Sequence, residues 1–261
     1  MAPATDSHPM EDPPFGLAAE RYDLIQQQLI PGYGSLARLA VALLAASPLA
    51  SEPGAEVLVA GCGTGAELLE AVAQRPDWRL GAIDPSAAMM VEARSRLAGA
   101  NSRLAGANSR LAGANSTLAG TPAIDWQQTT VEQLTEAPAY QGRYAGILSV
   151  LVLQSLADDG SKLAFLSGLA RSLRPGGQLV LVDLMSTSLP SLEDQLARAW
   201  VGFQRASGLQ APAEQLAPLT QGLHPVGMAR LTSLVNAAGF SDPARIFQAL
   251  AFEGFLLQKP S

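Results

Sequence analysis

The run Val57-Leu58-Val59-Ala60-Gly61-Cys62-Gly63-Thr64-Gly65 reads as a buried strand entering a glycine-rich turn, with a helix starting at Ala66. Glycines let the backbone turn sharply and let a ligand come close to the main chain. The free N–H groups of the helix that follows suit an anionic group. Asp84 stands 19 residues after Gly65, at the end of the next strand. In a parallel sheet this brings its carboxylate beside the glycine turn, where it can accept hydrogen bonds from both hydroxyls of a ribose. The competing role for Asp84 is to cap the helix after Pro85-Ser86. Turn and acid together point to a site for an adenosine-type ligand.

The elements around these residues alternate. Apolar residues at helical spacing over 17–30 predict a helix stopped by Pro31-Gly32, and a second helix fits Ser35–Ala46. Strands are expected at Glu56–Ala60, Trp78–Ile83, Ile124–Gln127, Tyr144–Val150 and Gln178–Val182, with helices at Ala66–Gln74, from Ala87 onward, and at Ser161–Leu173. Arg174-Pro175-Gly176-Gly177 reads as a turn. Arg245–Leu250 and Glu253–Gln258 look like a closing strand pair, after a helix at Met228–Ala238. The expected fold is α/β: a Rossmann-like, doubly wound, mostly parallel seven-stranded sheet with helices on both faces and a helical cap. Residues 1–14 read as a disordered tail, 15–261 as a single domain, and about 190–227 as the cap.

One segment breaks the pattern. SRLAGAN occurs in tandem at 95–101, 102–108 and 109–115, with a degenerate copy, STLAGTP, at 116–122. One Leu per seven residues is too little for a coiled-coil seam, and the unit is too short for a solenoid. The expectation is an expanded loop that tolerates length, with an arm that binds something as the alternative.

The chain has 261 residues, 48% of them hydrophobic and 15% charged, so a sizeable core is expected. The formal charge of -6 disfavours nucleic acid as the main partner. A single cysteine, Cys62, excludes an intrachain disulfide, and no zinc-type Cys/His spacing exists. The Pro-rich start has neither a basic region nor an apolar core, and the longest apolar run is too short to span a membrane. A cytoplasmic protein without membrane association is expected.

The spacing G-x-G-x-G at Gly61, Gly63 and Gly65 resembles motif I of class I S-adenosylmethionine-dependent methyltransferases. Ile83-Asp84-Pro85-Ser86, the strand before Leu151, and Leu173-Arg174-Pro175-Gly176-Gly177 before a strand follow that family's order, over about residues 15–258. The resemblance implies that Gly61, Cys62, Gly63 and Gly65 line the cofactor, with Cys62 a small buried residue of the turn. Asp84, followed by Pro85, would hold the ribose. Thr130 and Val131 stand where the family often has an adenine-contacting Asp, and Val150 would flank the cofactor. Leu29-Ile30-Pro31-Gly32-Tyr33 and the tail around Ala238-Gly239-Phe240 resemble carboxy-S-adenosylmethionine synthase and its methyltransferase relatives. That likeness implies that Tyr33 closes over the cofactor, a core tyrosine being the alternative. The synthase grips an extra carboxylate with a cap arginine, but here no Arg or Lys lies between Arg205 and Arg230. An ordinary S-adenosyl-L-methionine cofactor and a small-molecule methyl acceptor are therefore expected, with a homodimer as a further option. Asp183 and His224 are the polar candidates for a base, each with a structural role as the alternative.

Overall fold

The computed structural model describes residues 19–111, 123–187, 190–209 and 222–261. Helices α1 (Ala19–Leu29) and α2 (Tyr33–Ala45) open the chain. They are followed by β1 (Glu56–Ala60), α3 (Ala66–Gln74), β2 (Arg79–Ile83), α4 (Ala87–Leu111), β3 (Ile124–Gln127), α5 (Val131–Leu134) and β4 (Tyr144–Val150). Next come α6 (Ser161–Ser172), β5 (Leu173–Leu184), α7 (Pro190–Ala206), α8 (Met228–Ala237), β6 (Ala244–Ala249) and β7 (Phe252–Gln258). The strands form one seven-stranded sheet in the order β3-β2-β1-β4-β5-β7-β6. From β3 to β5 the neighbours run parallel, and β7 is antiparallel to both β5 and β6. This is the expected doubly wound α/β architecture.

Sequence patterning explains why the sheet is covered on both faces. Val57 and Val59 of β1 enter one apolar cluster, with Leu36, Ala40, Val41 and Leu44 of α2 and Leu68 of α3. Leu58 and Ala60 point the other way, into a cluster with Phe165, Leu166 and Leu169 of α6 and Leu231 and Leu234 of α8. A strand buried on both sides needs a continuous apolar run, and EVLVA supplies one. From β1 the chain goes outward to β2 and β3, then returns to place β4 on β1's other side. Such a reversal opens a crevice at the carboxyl ends of β1 and β4, where α/β sheets bind ligands.

Two expectations need correcting. Residues 174–177 are not a separate turn before the strand. β5 already pairs at Leu173 with Tyr144, and the register then shifts so that Gly146 meets Gln178, which absorbs the Arg174-Pro175-Gly176-Gly177 run within the strand. The repeat does not begin as a loop either. α4 runs 25 residues, through the first two SRLAGAN copies and into the third. Arg, Leu and Ala are good helix formers. A helix already begun on packed residues propagates through a single Gly or Asn at a cost of about 1 kcal/mol or less each. Leu97 of the first copy is only 5% exposed and belongs to the core. Residues 112–122, the tail 1–14 and cap residues 210–221 lie outside the described residues. Among those described, no single helix is long and apolar enough to cross a membrane.

The buried Leu97 sets a test. Leu97→Ala is expected to lower stability by about 2–4 kcal/mol in urea unfolding, as for other buried leucines. A leucine in a length-tolerant loop would cost less than about 0.5 kcal/mol, and that result would restore the loop reading for the first copy.

Candidate functional site

The turn between β1 and α3 is built on left-handed backbone. Gly61 has φ 73° and Gly65 φ 85°. A side chain at Gly61 would run into Val152, and one at Gly65 would press on Ala93 and Leu97 of α4. Both positions therefore require glycine for space as well as for torsion. The turn is stitched to the end of β2: the N–H groups of Gly61 and Cys62 both donate to the Ile83 carbonyl at 2.9 Å.

Asp84 completes this join. Its Oδ2 accepts from the Gly63 N–H at 2.9 Å and its Oδ1 from the Ser86 N–H at 2.8 Å. One side chain thus stands at the glycine turn and also holds Ser86 ahead of α4. Burial raises its carboxyl above the ordinary aspartate range, against the pull of the two N–H groups. The Pro85 carbonyl accepts from Gln128 Nε2 at 3.3 Å, which ties this corner to the end of β3.

A second carboxylate roofs the turn. Asp23 of α1 accepts from Tyr33 Oη at 3.0 Å and from Thr64 Oγ1 at 2.8 Å, and it forms an ion pair with Arg96. Arg96 belongs to the first SRLAGAN copy and also donates to the Thr64 carbonyl at 2.8 Å. Beneath this roof, Tyr22, Tyr33, Cys62, Glu67, Val150 and Leu151 border a cavity of about 40 Å³ with the glycine turn. Leu151 adopts φ 61° there, a rare conformation for a branched side chain. Glu67, in the first turn of α3, is 8% exposed, and burial pushes its carboxyl up to about 7.

Of the residues singled out in the sequence, Gly61, Cys62, Gly63, Tyr33 and Val150 border this cavity. Gly65 and Asp84 are joined to the turn by hydrogen bonds rather than by lining it. Cys62 is buried, and that burial raises its thiol well above the usual range. Thr130 and Val131 are placed differently. Thr130 caps α5 in a reciprocal box with Gln133, and the Val131 side chain is buried against Gly168 of α6. Any ligand contact there must use main chain or the outward part of Thr130. Asp183 takes its structural alternative: it is buried and accepts from the Leu153 and Gln154 N–H groups at 3.0 and 2.7 Å. His224 is exposed, and its main-chain N–H donates to the Gln154 carbonyl. Sequence reasoning missed Asp23, Glu67 and Arg96. Glu67 follows the glycine turn by two residues and could have been found from that proximity, whereas Arg96 was hidden by the repeat.

A second cavity, of about 180 Å³, opens past the end of β5. Leu184, Met185, Leu196, Ala197, Trp200 and Phe252 make it mostly apolar. Trp200 of α7 meets Phe252 edge to face at 5.7 Å and donates its indole N–H to the Leu29 carbonyl of α1. One helix pair, α1 and α7, therefore adjoins both cavities.

Residues 34–242 match the family model described as a methyltransferase domain. Among solved structures, a possible exported protein from Bordetella parapertussis is similar at TM-score 0.63 and 19% identity, covering 95% of this chain and 81% of that one. Human N-acetylserotonin methyltransferase, solved in complex with SAM, is similar at TM-score 0.55 and 15% identity, covering 95% of this chain and 58% of its own. The mitomycin 7-O-methyltransferase MmcR gives TM-score 0.56 and 16% identity, covering 87% of this chain and 55% of its own. At such identities these likenesses speak for the fold. No curated protein matches the chain.

The elevated Glu67 carboxyl gives a pH test. A carboxyl raised by folding from the ordinary range to about 7 stabilises the native state fully below about pH 4.5, and this contribution is lost as pH rises to about 7. The stability of Glu67→Gln relative to wild type is therefore expected to rise by about 1–3 kcal/mol between pH 5 and pH 8. A difference that stays constant across this range would contradict the buried, uncompensated state of Glu67.

Proposed function

The chain belongs to the methyltransferase-domain family, and on that premise we propose that it transfers a methyl group from S-adenosyl-L-methionine to a small, largely apolar acceptor. The observation that carries the reading is the union of Asp84 with the glycine turn at the carboxyl ends of β1 and β2. Each Asp84 oxygen accepts one N–H bond, and a carboxylate oxygen can accept a second. Asp84 can therefore receive ribose hydroxyls without giving up the turn. Gly61, Cys62 and Gly63 offer main chain for close approach, Val150 at the end of β4 and Leu151 after it flank the ligand, and Pro85, Thr130 and Val131 mark the adenine side. Tyr33, held by Asp23, and Tyr22 cover it.

The sulfonium supplies an already activated methyl group: an acceptor lone pair forms the new bond to carbon while the carbon–sulfur pair leaves as the neutral thioether of S-adenosylhomocysteine. What remains for the protein is alignment and exclusion of water. The apolar cavity under α7 suits the acceptor, because it lies past the end of β5, whose Val182 carbonyl accepts from the Leu151 N–H. Asp183 spends its carboxylate on the loop after β4 and is not a base in this reading. The cofactor is the ordinary form: among the described residues the guanidinium that bonds to the glycine turn is Arg96, which is paired with Asp23, while Arg94, whose charge also acts on Cys62, lies over Trp126. A carboxylated cofactor would then bury an extra charge without a counter-ion.

Incubation with S-adenosyl-L-methionine and a panel of apolar acceptors, followed by mass spectrometry, is expected to yield S-adenosylhomocysteine and methylated product. Asp84→Asn is expected to weaken cofactor binding by about tenfold or more in calorimetry, the value of a charge-assisted hydrogen bond. Ala197→Trp, at an exposed position that fills the apolar cavity, should raise the acceptor KM and leave cofactor affinity unchanged. Equal cofactor affinity in wild type and Asp84→Asn would remove Asp84 from the site.

A further inference from the structure

The charges around the glycine-turn cavity are unequally committed. Asp84 accepts from two N–H groups, and Asp23 accepts from two hydroxyls and pairs with Arg96. Glu67, more than nine-tenths buried, borders the same cavity. Among the described residues, its one hydrogen-bond donor is its own main-chain N–H, and the Arg96 charge acts on it from a distance. The strand entering the turn adds nothing polar, since Val59 and Ala60 are both buried apolar residues. An uncompensated buried carboxylate is costly, so its persistence in a cavity calls for a complementary charge from a ligand.

Resting on the S-adenosyl-L-methionine reading above, we propose that Glu67 is the anchor of an ammonium subsite, which receives the α-amino group of the cofactor's amino-acid end. Position, size and charge support this. With the ribose at Asp84 beyond β2, the cavity lies on the other side of β1, bordered by Val150 at the end of β4 and Leu151 just after it. It therefore faces the end of the ligand opposite the adenine. At about 40 Å³ it is too small for a nucleoside and suits a terminal group of a few atoms. Its surroundings carry three carboxylates, Asp23, Glu67 and Asp84, against two guanidiniums: Arg96, which is paired with Asp23, and Arg94, which acts on Cys62 and stacks over Trp126. Tyr22 and Tyr33 add aromatic rings, which also favour a cation.

Three ligands separate the possibilities, each titrated calorimetrically into the full-length chain. S-adenosyl-L-methionine carries ammonium and sulfonium, S-adenosylhomocysteine the ammonium alone, and 5′-deoxy-5′-methylthioadenosine neither. Glu67→Gln is expected to weaken the first two by about tenfold to a hundredfold, the range of a charge-assisted hydrogen bond, and to leave the third within about twofold. The third ligand also shows that the variant is folded. The groups facing Glu67 are Tyr22 and Asp23 of α1, Tyr33 of α2, Cys62 of the turn and Arg96 of α4, with Asp84 beyond β2 and Arg94 of α4 acting on the neighbouring Cys62. Because Glu67 must be ionised to hold a cation, wild-type affinity for S-adenosylhomocysteine should rise severalfold from pH 6 to pH 8, and that slope should vanish in Glu67→Gln. A loss confined to S-adenosyl-L-methionine would move Glu67 to the sulfonium and overturn the subsite. Equal losses for all three ligands, or none, would also overturn it. Wild-type protein that binds none of the three would overturn the cofactor reading itself.

Discussion

Asp23 joins four segments that are remote in sequence. Through one carboxylate, α1 takes a hydrogen bond from Tyr33 at the start of α2, another from Thr64 in the glycine turn, and an ion pair from Arg96 in α4. Charge-assisted hydrogen bonds of this kind are stronger than neutral ones, and a part-buried setting strengthens them further. Asp23 thereby fixes α1 across the carboxyl end of β1. That placement puts Tyr22 over the cavity, and it presents the Leu29 carbonyl to Trp200 of α7. The roof over the glycine turn and the wall of the apolar cavity are consequently parts of one assembly.

The loop after β4 is held from below by a second buried network. Asp183 accepts the Leu153 and Gln154 N–H groups, Gln154 Oε1 accepts the Leu184 N–H at 3.1 Å, and the wholly buried Lys162 donates to the Leu153 carbonyl. With its far side anchored this way, the chain can keep Leu151 at positive φ, a strained state that survives only where its surroundings over-determine it. The strain lies at the cavity edge, where strained backbone is most often found.

What could be read from the sequence follows from how local each signal is. The glycine turn was legible because strand, glycines and helix start lie within a dozen residues, and Asp84 because the parallel sheet fixes where the next strand ends. Asp23 was not, since its partner Thr64 is 41 positions away and nothing in an amphipathic helix marks one acid as structural. Arg96 and Leu97 were obscured because they recur as part of a repeat, and repetition suggests tolerance. The packing of Leu97 near Gly65 and the Arg96 bonds to Asp23 and Thr64 mark the first copy as structural. Thr130 and Val131 show a different limit: family position places them at a ligand contact, and it does not reveal that capping engages the Thr130 side chain or that Val131 is buried, which leaves the main chain for such a contact.

The central claim is that one adenosyl ligand lies across the glycine turn, with its ribose at Asp84 and its amino-acid end under Asp23. A crystal structure of the protein with S-adenosylhomocysteine tests this most directly. The account expects ribose hydroxyls within hydrogen-bond distance of Asp84, the thioether beside Gly61 and Val150, and the amino group at Glu67. Density for the ligand in the apolar cavity beside Trp200, or with its ribose away from Asp84, would contradict it.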